Sequence, residues 1–237
     1  MDVSLIIPVL NEAGNLKIIF REVKETLDSL GKTYEIIFIN DGSNDESALF
    51  LDEFAAQDDS VTVIHFYKNY GMTSALDAGV RHAAGKIILT MDADLQYRTA
   101  DLIKIVRELQ DNDVVLGYRI NRIEADGFIK TLSSKIANYL RNMVLGECFR
   151  DGGCFLRGFK RECLKDLVLY QGFQVFIPSL MSMAGFRIKE IPVQVSARRF
   201  GRSKFNIRNR LWKEFLALLV VAWCKRKRLA YKIHSIK

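Results

Sequence analysis

The 237-residue chain is poor in histidine, proline and cysteine. Its three histidines are His65, His82 and His234, and they form no Ser/His/Asp set and no zinc-ligand spacing. His65 reads as part of a strand and His82 as part of a helix, both structural positions. The four cysteines, Cys148, Cys154, Cys163 and Cys224, make no C-x-x-C pair, and no secretory signal opens the chain. Four reduced thiols in a cytosolic protein are therefore expected. Only three prolines and no low-complexity tract argue against a long disordered region. No internal repeat is visible. The apolar run Phe215–Cys224 is too short for the ~20 residues that span a bilayer. Acidic residues are scarce at one end only. From Arg198 to Lys237 there are thirteen Lys or Arg and one acid, Glu214, a charge of +12. The whole chain carries +7, so residues 1–197 carry −5. An acidic body with a basic tail points to an anionic surface as partner.

Five apolar runs lie in the first half: Val3–Val9, Glu35–Ile39, Val61–Phe66, Lys86–Met91 and Asp113–Gly117. They are nearly continuous in Val, Ile, Leu and Phe, the pattern of strands covered on both faces. Helical patterns alternate with them. Leu16, Ile19, Phe20, Val23, Leu27 and Leu30 recur at three- and four-residue steps. Ala48–Ala56, Thr73–Ala84 and Ala100–Leu109 read as further helices, and Phe173–Ala184 and Phe186–Val195 as a later helix and strand. The expected fold class is α/β, a mostly parallel sheet flanked by helices.

In such sheets ligands bind beyond the carboxyl ends of the strands. Those ends read Asn11-Glu12, Asn40-Asp41-Gly42-Ser43-Asn44-Asp45, Lys68-Asn69-Tyr70-Gly71, Asp92-Ala93-Asp94-Leu95-Gln96 and Arg119. Asp92 and Asp94 are two apart, and on an extended segment they share a face. Hard cations such as Mg²⁺ or Mn²⁺ take one or two carboxylates plus substrate phosphates. Gln96 could add a carbonyl oxygen. The competing reading has Asp94 capping a helix and Asp92 solvated. Ser43 and Asp45 read as helix N-caps. Asp151, beside two glycines, reads as a turn residue, with Arg157 and Arg161 pairing with it or binding phosphate.

The segments "SLIIPVLNEAGNL", "EIIFINDGSNDES", "KNYGMTSALDAGVRHAAG" and "IILTMDADLQ" resemble successive motifs of the family-two nucleotide-sugar glycosyltransferases of GT-A fold. "DGGCFLRGFKREC" and "GFRIKEIPVQVSARRFGRSKFNI" resemble the branch of dolichol-phosphate mannose synthase and the bacterial polyprenyl-phosphate glycosyltransferases. The likeness runs over essentially the whole chain. It implies a GT-A-type (Rossmann-like) domain over residues 1–205, with a nucleotide-sugar half (1–118) and an acceptor half (119–205). It implies that Pro8, Asn11 and Glu12 edge the base pocket and that Asp41 reaches base or ribose. Asp92 would face ribose and metal, and Asp94 and Gln96 would complete the metal shell. Arg119 would approach the pyrophosphate or the acceptor phosphate. Arg199, Ser203 and Lys204 would close over the phosphates, and Asp151 would lie near the acceptor. Asn40, Tyr97-Arg98 and Gln174 depart from the family pattern, which commonly has Asp, His-Pro or Tyr-Pro, and His at these places.

Residues 206–237 combine an apolar centre with Arg208, Arg210 and Lys213 before it, Lys225-Arg226-Lys227-Arg228 after it, and Trp212 and Trp223. That composition suits a basic amphipathic helix lying in the headgroup layer of an anionic membrane. The expected activity is metal-dependent, inverting transfer of a hexosyl unit from a UDP- or GDP-sugar to a polyprenyl phosphate. Its expected location is the cytoplasmic membrane face, peripheral or anchored by spans beyond this sequence. A saccharide acceptor is the alternative, with Asp151 as base. A nucleic-acid binder would leave the acidic strand ends unexplained, so no nucleic acid partner is expected. A phosphate-binding module that has lost activity is a further rival, kept open by Asn40. Oligomeric state is not legible.

Overall fold

A computed structural model describes residues 1–122, 127–165, 167–197 and 207–227, with the backbone alone for 128–130 and 207–213. Its seven strands are β1 (Val3–Val9), β2 (Tyr34–Asn40), β3 (Val61–His65), β4 (Ile87–Thr90), β5 (Val114–Arg119), β6 (Arg157–Lys160) and β7 (Ile188–Val193). They form one sheet in the order β3-β2-β1-β4-β6-β5-β7. Every strand runs the same way except β6, which is antiparallel to β4 and β5. The first five strands coincide with the apolar runs to within two residues at each end.

The described helices are α1 (Ala13–Asp28), α2 (Ser47–Gln57), α3 (Met72–His82), α4 (Asp101–Glu108), α5 (Phe128–Leu145), α6 (Ile177–Ala184) and α7 (Ile207–Arg226). Leu16, Ile19 and Val23 of α1, Leu51 and Phe54 of α2 and Leu102 and Ile105 of α4 pack on Leu5, Ile7, Ile36, Phe38 and Leu89. On the other face Ala75 and Leu76 of α3 and Ile177 and Met181 of α6 pack on Ile6, Ile37, Ile39, Ile88 and Phe159. Successive residues of one strand thus feed two cores, which is why the strands read as unbroken apolar runs. Each such side chain contributes about 1.5–3 kcal/mol when fully buried.

Sequence periodicity did not expose two elements. β6 is only Arg157-Gly158-Phe159-Lys160, a segment with no apolar run. Its Gly158 leaves the room that Ile105 of α4 fills: a Cβ there would lie 2.2 Å from Ile105 Cγ2. α5 is hidden because its pattern is inverted. It buries Thr131, Arg141 and Leu145 and exposes Leu132, Ile136, Tyr139, Leu140, Met143 and Val144. The helix expected over Phe173–Ala184 is a 3₁₀ turn at Phe173–Val175 followed by α6, with Pro178 in its first turn.

β1 and β4 part at Pro8. Ile6 directs its backbone groups at β4, accepting from Met91 N at 3.2 Å, while Val9 O serves Asp41 N on the β2 side. Two residues on from Ile6, the group that would face β4 is the nitrogen of Pro8, which carries no hydrogen. The ladder ends there, at the point where strand order runs to opposite sides, which in open sheets of this kind is where a ligand crevice lies.

Candidate active site

The loops after β1 and β2 are laced together at this crevice. Asn11, held at φ +49°, donates its N–H to Ser43 Oγ at 2.9 Å, and its Oδ1 accepts from Asn44 N at 2.7 Å. Glu12 N donates to Ser47 Oγ at 2.9 Å, and Glu12 Oε2 accepts from Asn15 Nδ2 at 2.6 Å. Ser43 is therefore not the N-cap of α2; its hydroxyl is turned to the β1 loop. Asp45 serves two helix starts, accepting from Ala13 N of α1 at 3.1 Å and from Ser47 N of α2 at 3.0 Å. Asn40 uses both ends of its amide: Oδ1 accepts from Ser43 N at 2.9 Å and Nδ2 meets His65 Nδ1 at 3.0 Å. The amide at position 40 thus ties the β2 loop to His65 of β3.

Asp41 sits at the β2 rim, as expected, but is only 4% exposed. Its carboxylate accepts from Tyr70 N at 2.7 Å and from Gly71 N at 3.0 and 3.2 Å. Burial pushes its pKa above the usual value, and the two amides pull the other way. Asp41 thus ties the β2 loop to the start of α3. Gly42 (φ +71°) makes the same join possible, since a Cβ there would lie 2.4 Å from the backbone carbon of Lys68.

β4 ends at Thr90, so Asp92–Gln96 form a bend instead of the extended segment expected, and Leu95 takes φ +58°. Asp94 is buried and its Oδ1 accepts from Gln96 N at 3.1 Å, while Asp92 is half-buried. Gln96 exchanges bonds with Ser196: Nε2 donates to Ser196 O at 3.2 Å, and Ser196 N donates to Gln96 O at 2.8 Å. Its side-chain oxygen is the atom it can offer a cation. Among the described residues no three His, Cys, Asp or Glu cluster as a metal cage. Two carboxylates and an amide are instead the hard-oxygen set that Mg²⁺ or Mn²⁺ shares with waters and phosphates.

The reversal of β6 completes the rim. Arg157 at its start lies opposite Thr90 of β4 and Leu116 of β5, so the turn before it, Asp151–Cys154, stands at the carboxyl ends of both. There Asp151 receives Arg119 in a fork: Nε to Oδ2 at 2.6 Å and Nη2 to Oδ1 at 2.9 Å. Arg122 Nη1 lies 3.6 Å from Asp151 Oδ1. Burial opposes the charge on Asp151, yet the arginines hold its pKa below the usual range. Tyr97 is buried between the two halves of the rim. Its hydroxyl accepts from Phe155 N at 3.3 Å, and burial drives its pKa well up; it also feels the charges of both Arg119 and Asp92.

Arg157 and Arg161 differ from expectation. Arg157 does not pair with Asp151. It is buried and donates to Cys154 O, Gln174 O and Gly152 O at 2.6, 2.8 and 2.8 Å. Arg161 follows the far end of β6, beside Lys86 at the opposite rim. Gln174 pairs with Thr73 of α3. Pro8, Asn11, Glu12, Asp41, Asp92, Asp94, Gln96, Arg119 and Asp151 all lie at the carboxyl rim. Arg199, Ser203 and Lys204 lie outside the described residues. Sequence reasoning missed Arg122, Arg141 and Glu190. Glu190, the single acid of β7, accepts from Arg150 N at 2.8 Å and steadies the Asp151 turn.

The basic tail is only partly as expected. In α7, Ala217, Leu218 and Val221 pack on Leu145, Phe173 and Phe176, while Phe215, Leu216, Leu219, Val220 and Trp223 are exposed. The described part of the helix is apolar on both sides, so it is not amphipathic; its polar residues gather at the ends. Lys225 is drawn inward and donates to Leu145 O at 2.5 Å and to Glu147 at 3.2 Å. It thereby caps the carboxyl end of α5. Among the described residues no helix is long and apolar enough to cross a membrane.

This architecture has solved counterparts. Glucosyl-3-phosphoglycerate synthase from Mycobacterium tuberculosis, in complex with Mn²⁺, UDP-glucose and phosphoglyceric acid, superposes with a TM-score of 0.73 at 17% identity, over 94% of this chain and 80% of that one. The same enzyme with Mg²⁺ and UDP gives 0.69 at 15% identity, over 94% and 79%. A mannosyltransferase from Pyrobaculum calidifontis, in complex with GDP-mannose and Mn²⁺, gives 0.56 at 20% identity, over 97% and 65%. These likenesses are of fold. The sequence model described as glycosyl transferase family 2 matches residues 4–168, more than half of the chain. A parallel sheet opened at Pro8, an acidic bend after β4 and a matching family model lead to one conclusion: this protein is a glycosyltransferase and belongs to glycosyl transferase family 2.

Proposed function

We propose that the protein transfers a hexosyl unit from a UDP- or GDP-linked sugar to a polyprenyl phosphate, at the cytoplasmic face of a membrane. The carrying observation is the state of Asp151. A hydroxyl acceptor needs a general base near its operating pH. Asp151, the acid at the acceptor turn, is held between Arg119 and Arg122 with its pKa lowered. It is a structural anion and a poor base. A phosphate monoester has its second pKa near 6, roughly as in phosphorylated side chains, and is mostly dianionic at neutral pH. It needs no base, and a turn rich in arginine suits it.

The donor would lie along the β1–β4 crevice, its base edged by Pro8, Asn11 and Glu12. Asp41 would act there through the β2 and β3 loops it joins. Asp92, Asp94 and Gln96 would hold Mg²⁺ or Mn²⁺, which supplies charge neutralisation for the departing diphosphate. Arg199, Ser203 and Lys204 are assigned to the same phosphates on sequence resemblance. The acceptor oxygen would attack from the side of the Asp151 turn, opposite the leaving group, with inversion.

The membrane assignment rests on two adjacent helices that turn apolar residues outward, α5 and α7. In α5 the inward face is the polar one: Asn138 donates to Arg150 O and Asn142 to Phe149 O. A helix so arranged gains nothing from water on its outer face, whereas a headgroup layer accepts it. Basic residues of the tail add on the order of 1 kcal/mol each near an anionic leaflet.

The test is a transfer assay on the full chain with UDP- and GDP-hexoses and Mn²⁺. Acceptors are a short-chain polyprenyl phosphate, phosphoglyceric acid and soluble saccharides. Transfer to the polyprenyl phosphate is expected. Transfer to saccharides alone would refute the reading, and transfer to phosphoglyceric acid alone would refute its lipid half.

A further inference from the structure

Arg141 breaks a rule of protein interiors. It is 6% exposed, and its Nε and Nη2 have no hydrogen-bond partner. The remaining nitrogen, Nη1, reaches only Val175 O, at 3.5 Å. A guanidinium cannot shed its proton, and leaving such a charge buried without partners is costly. The chain has nevertheless made room for it. Gly152 has no Cβ where Arg141 lies; one built there would fall 2.2 Å from Nη1 and 2.5 Å from the guanidinium carbon.

The surrounding cations are already engaged. Arg119 forks onto Asp151, Arg122 contacts Asp151 and Ser134, and Arg157 is shared among three carbonyls. Of the acids whose charges reach it, Glu147, Asp151, Glu214 and Glu190, none bonds to Nε or Nη2; Glu147 holds Ser179 and Lys225, and Glu190 holds Arg150 N. The Asp151–Gly153 turn therefore collects more positive charge than its carboxylate offsets, and Arg141 is the member with donors to spare.

We propose that Arg141 is the anchor of an anion subsite at the Asp151–Gly153 turn, and that its ligand is the phosphate monoester of the acceptor. The inference rests on the reading that the acceptor carries a phosphate, and it moves the principal contact from Arg119 to Arg141. The subsite is separate from the Asp92–Asp94 bend that serves the donor. Reaching it requires the groups that cover Nε and Nη2 to give way when the anion enters.

Calorimetric titration of the full chain tests this apart from turnover, with inorganic phosphate and a short-chain polyprenyl phosphate as separate probes. The wild type is expected to bind the polyprenyl phosphate, and Arg141→Gln to bind it at least tenfold more weakly, the usual scale for losing a charge-assisted contact. UDP and GDP binding with Mn²⁺ should be unchanged. Arg141→Lys should restore part of the loss. Gly152→Ala, which forces the guanidinium aside, should mimic Arg141→Gln. The melting temperature of Arg141→Gln without ligand should equal or exceed the wild-type value, because an unpaired buried charge has been removed; a structural arginine would give a fall. Inorganic phosphate binding as well as the lipid analogue marks a site for free phosphate also, and binding of the analogue alone marks a lipid headgroup site; both support the subsite. Equal binding by wild type and Arg141→Gln, or no binding of either probe by the wild type, would overturn it. If both probes bind through Arg141 but no phosphate acceptor is glycosylated, the proposed reaction fails and the subsite stands.

Discussion

Arg119 grips Asp151 through two hydrogen bonds of 2.6 and 2.9 Å, joining the last residue of β5 to the turn that precedes the reversed strand β6. Removing one partner of a buried ion pair costs about 3–5 kcal/mol, because the other charge is stranded. Asp151→Asn should lower stability on that scale in denaturant titration and reduce transfer at least a hundredfold. The pH profile separates the roles. The folded pKa of Asp151 is depressed, so its anion persists down to pH values below the usual carboxylate range, and its stabilising effect is lost only as pH falls through that lowered value. The acid limb of activity should therefore follow the acceptor phosphate near pH 6, not a carboxylate of the protein. A limb that tracked Asp151 would restore the general-base reading.

Asp94→Asn should abolish measurable turnover while leaving the melting temperature within a few degrees, since the asparagine oxygen can still accept the bond from Gln96 N. Asp92→Asn should also reduce turnover. Titration of UDP or GDP against the wild type should show Mn²⁺-dependent affinity that disappears in Asp94→Asn. Metal-independent binding of equal strength would contradict the assignment.

Gly42→Ala should be among the most damaging single-methyl additions. The new Cβ meets the backbone of Lys68 and Asn69 at 2.4–2.6 Å and sits at positive φ. The β2 and β3 loops must part, and Asp41 loses Tyr70 and Gly71 N–H. Donor affinity should fall at least tenfold, with a drop in melting temperature of several degrees.

Asp113 clips three strands. It accepts from Arg187 N at 2.9 Å ahead of β7 and from Lys160 at 3.0 Å at the end of β6, from its place just before β5. Those partners hold its pKa far below the usual value. The stabilisation is present above the ordinary carboxylate pKa and is lost as pH falls through the lowered folded value. Asp113→Asn should cost about 1–3 kcal/mol at pH 7, and the gap to wild type should narrow in strongly acidic denaturation curves.

Ile136→Glu and Met143→Glu, on the outward face of α5, should leave stability unchanged and weaken sedimentation with anionic vesicles. High salt should weaken it further. Unaltered sedimentation of the double variant would remove α5 from the membrane reading.

The first half of the chain was legible because its polar strand ends and its periodicity coincide. β1 to β5 are apolar runs, and each is followed by the polar residues that line the rim. The second half was less legible for physical reasons. β6 carries Arg157 and Gly158 where a strand usually shows apolar residues, because one is bound by carbonyls and the other is pressed by α4. α5 turns its polar residues inward, so the usual inside-outside rule misreads it. Arg141 has no sequence signature; only burial distinguishes it from a surface arginine. The clasp that Asp41 forms was not legible either, because its partners, the amides of Tyr70 and Gly71, lie far along the chain.

Pro8 has a consequence for how the donor is received. The gap beside β1 is set by covalent chemistry, since a ring nitrogen can never supply the hydrogen that would zip β4 further. In the proposed reading the cleft would be preorganised before any nucleotide arrives, and binding would not have to spend affinity on prising strands apart. Selectivity among bases would then fall to the loops at its mouth, while the strands beneath serve as a rigid, indifferent floor.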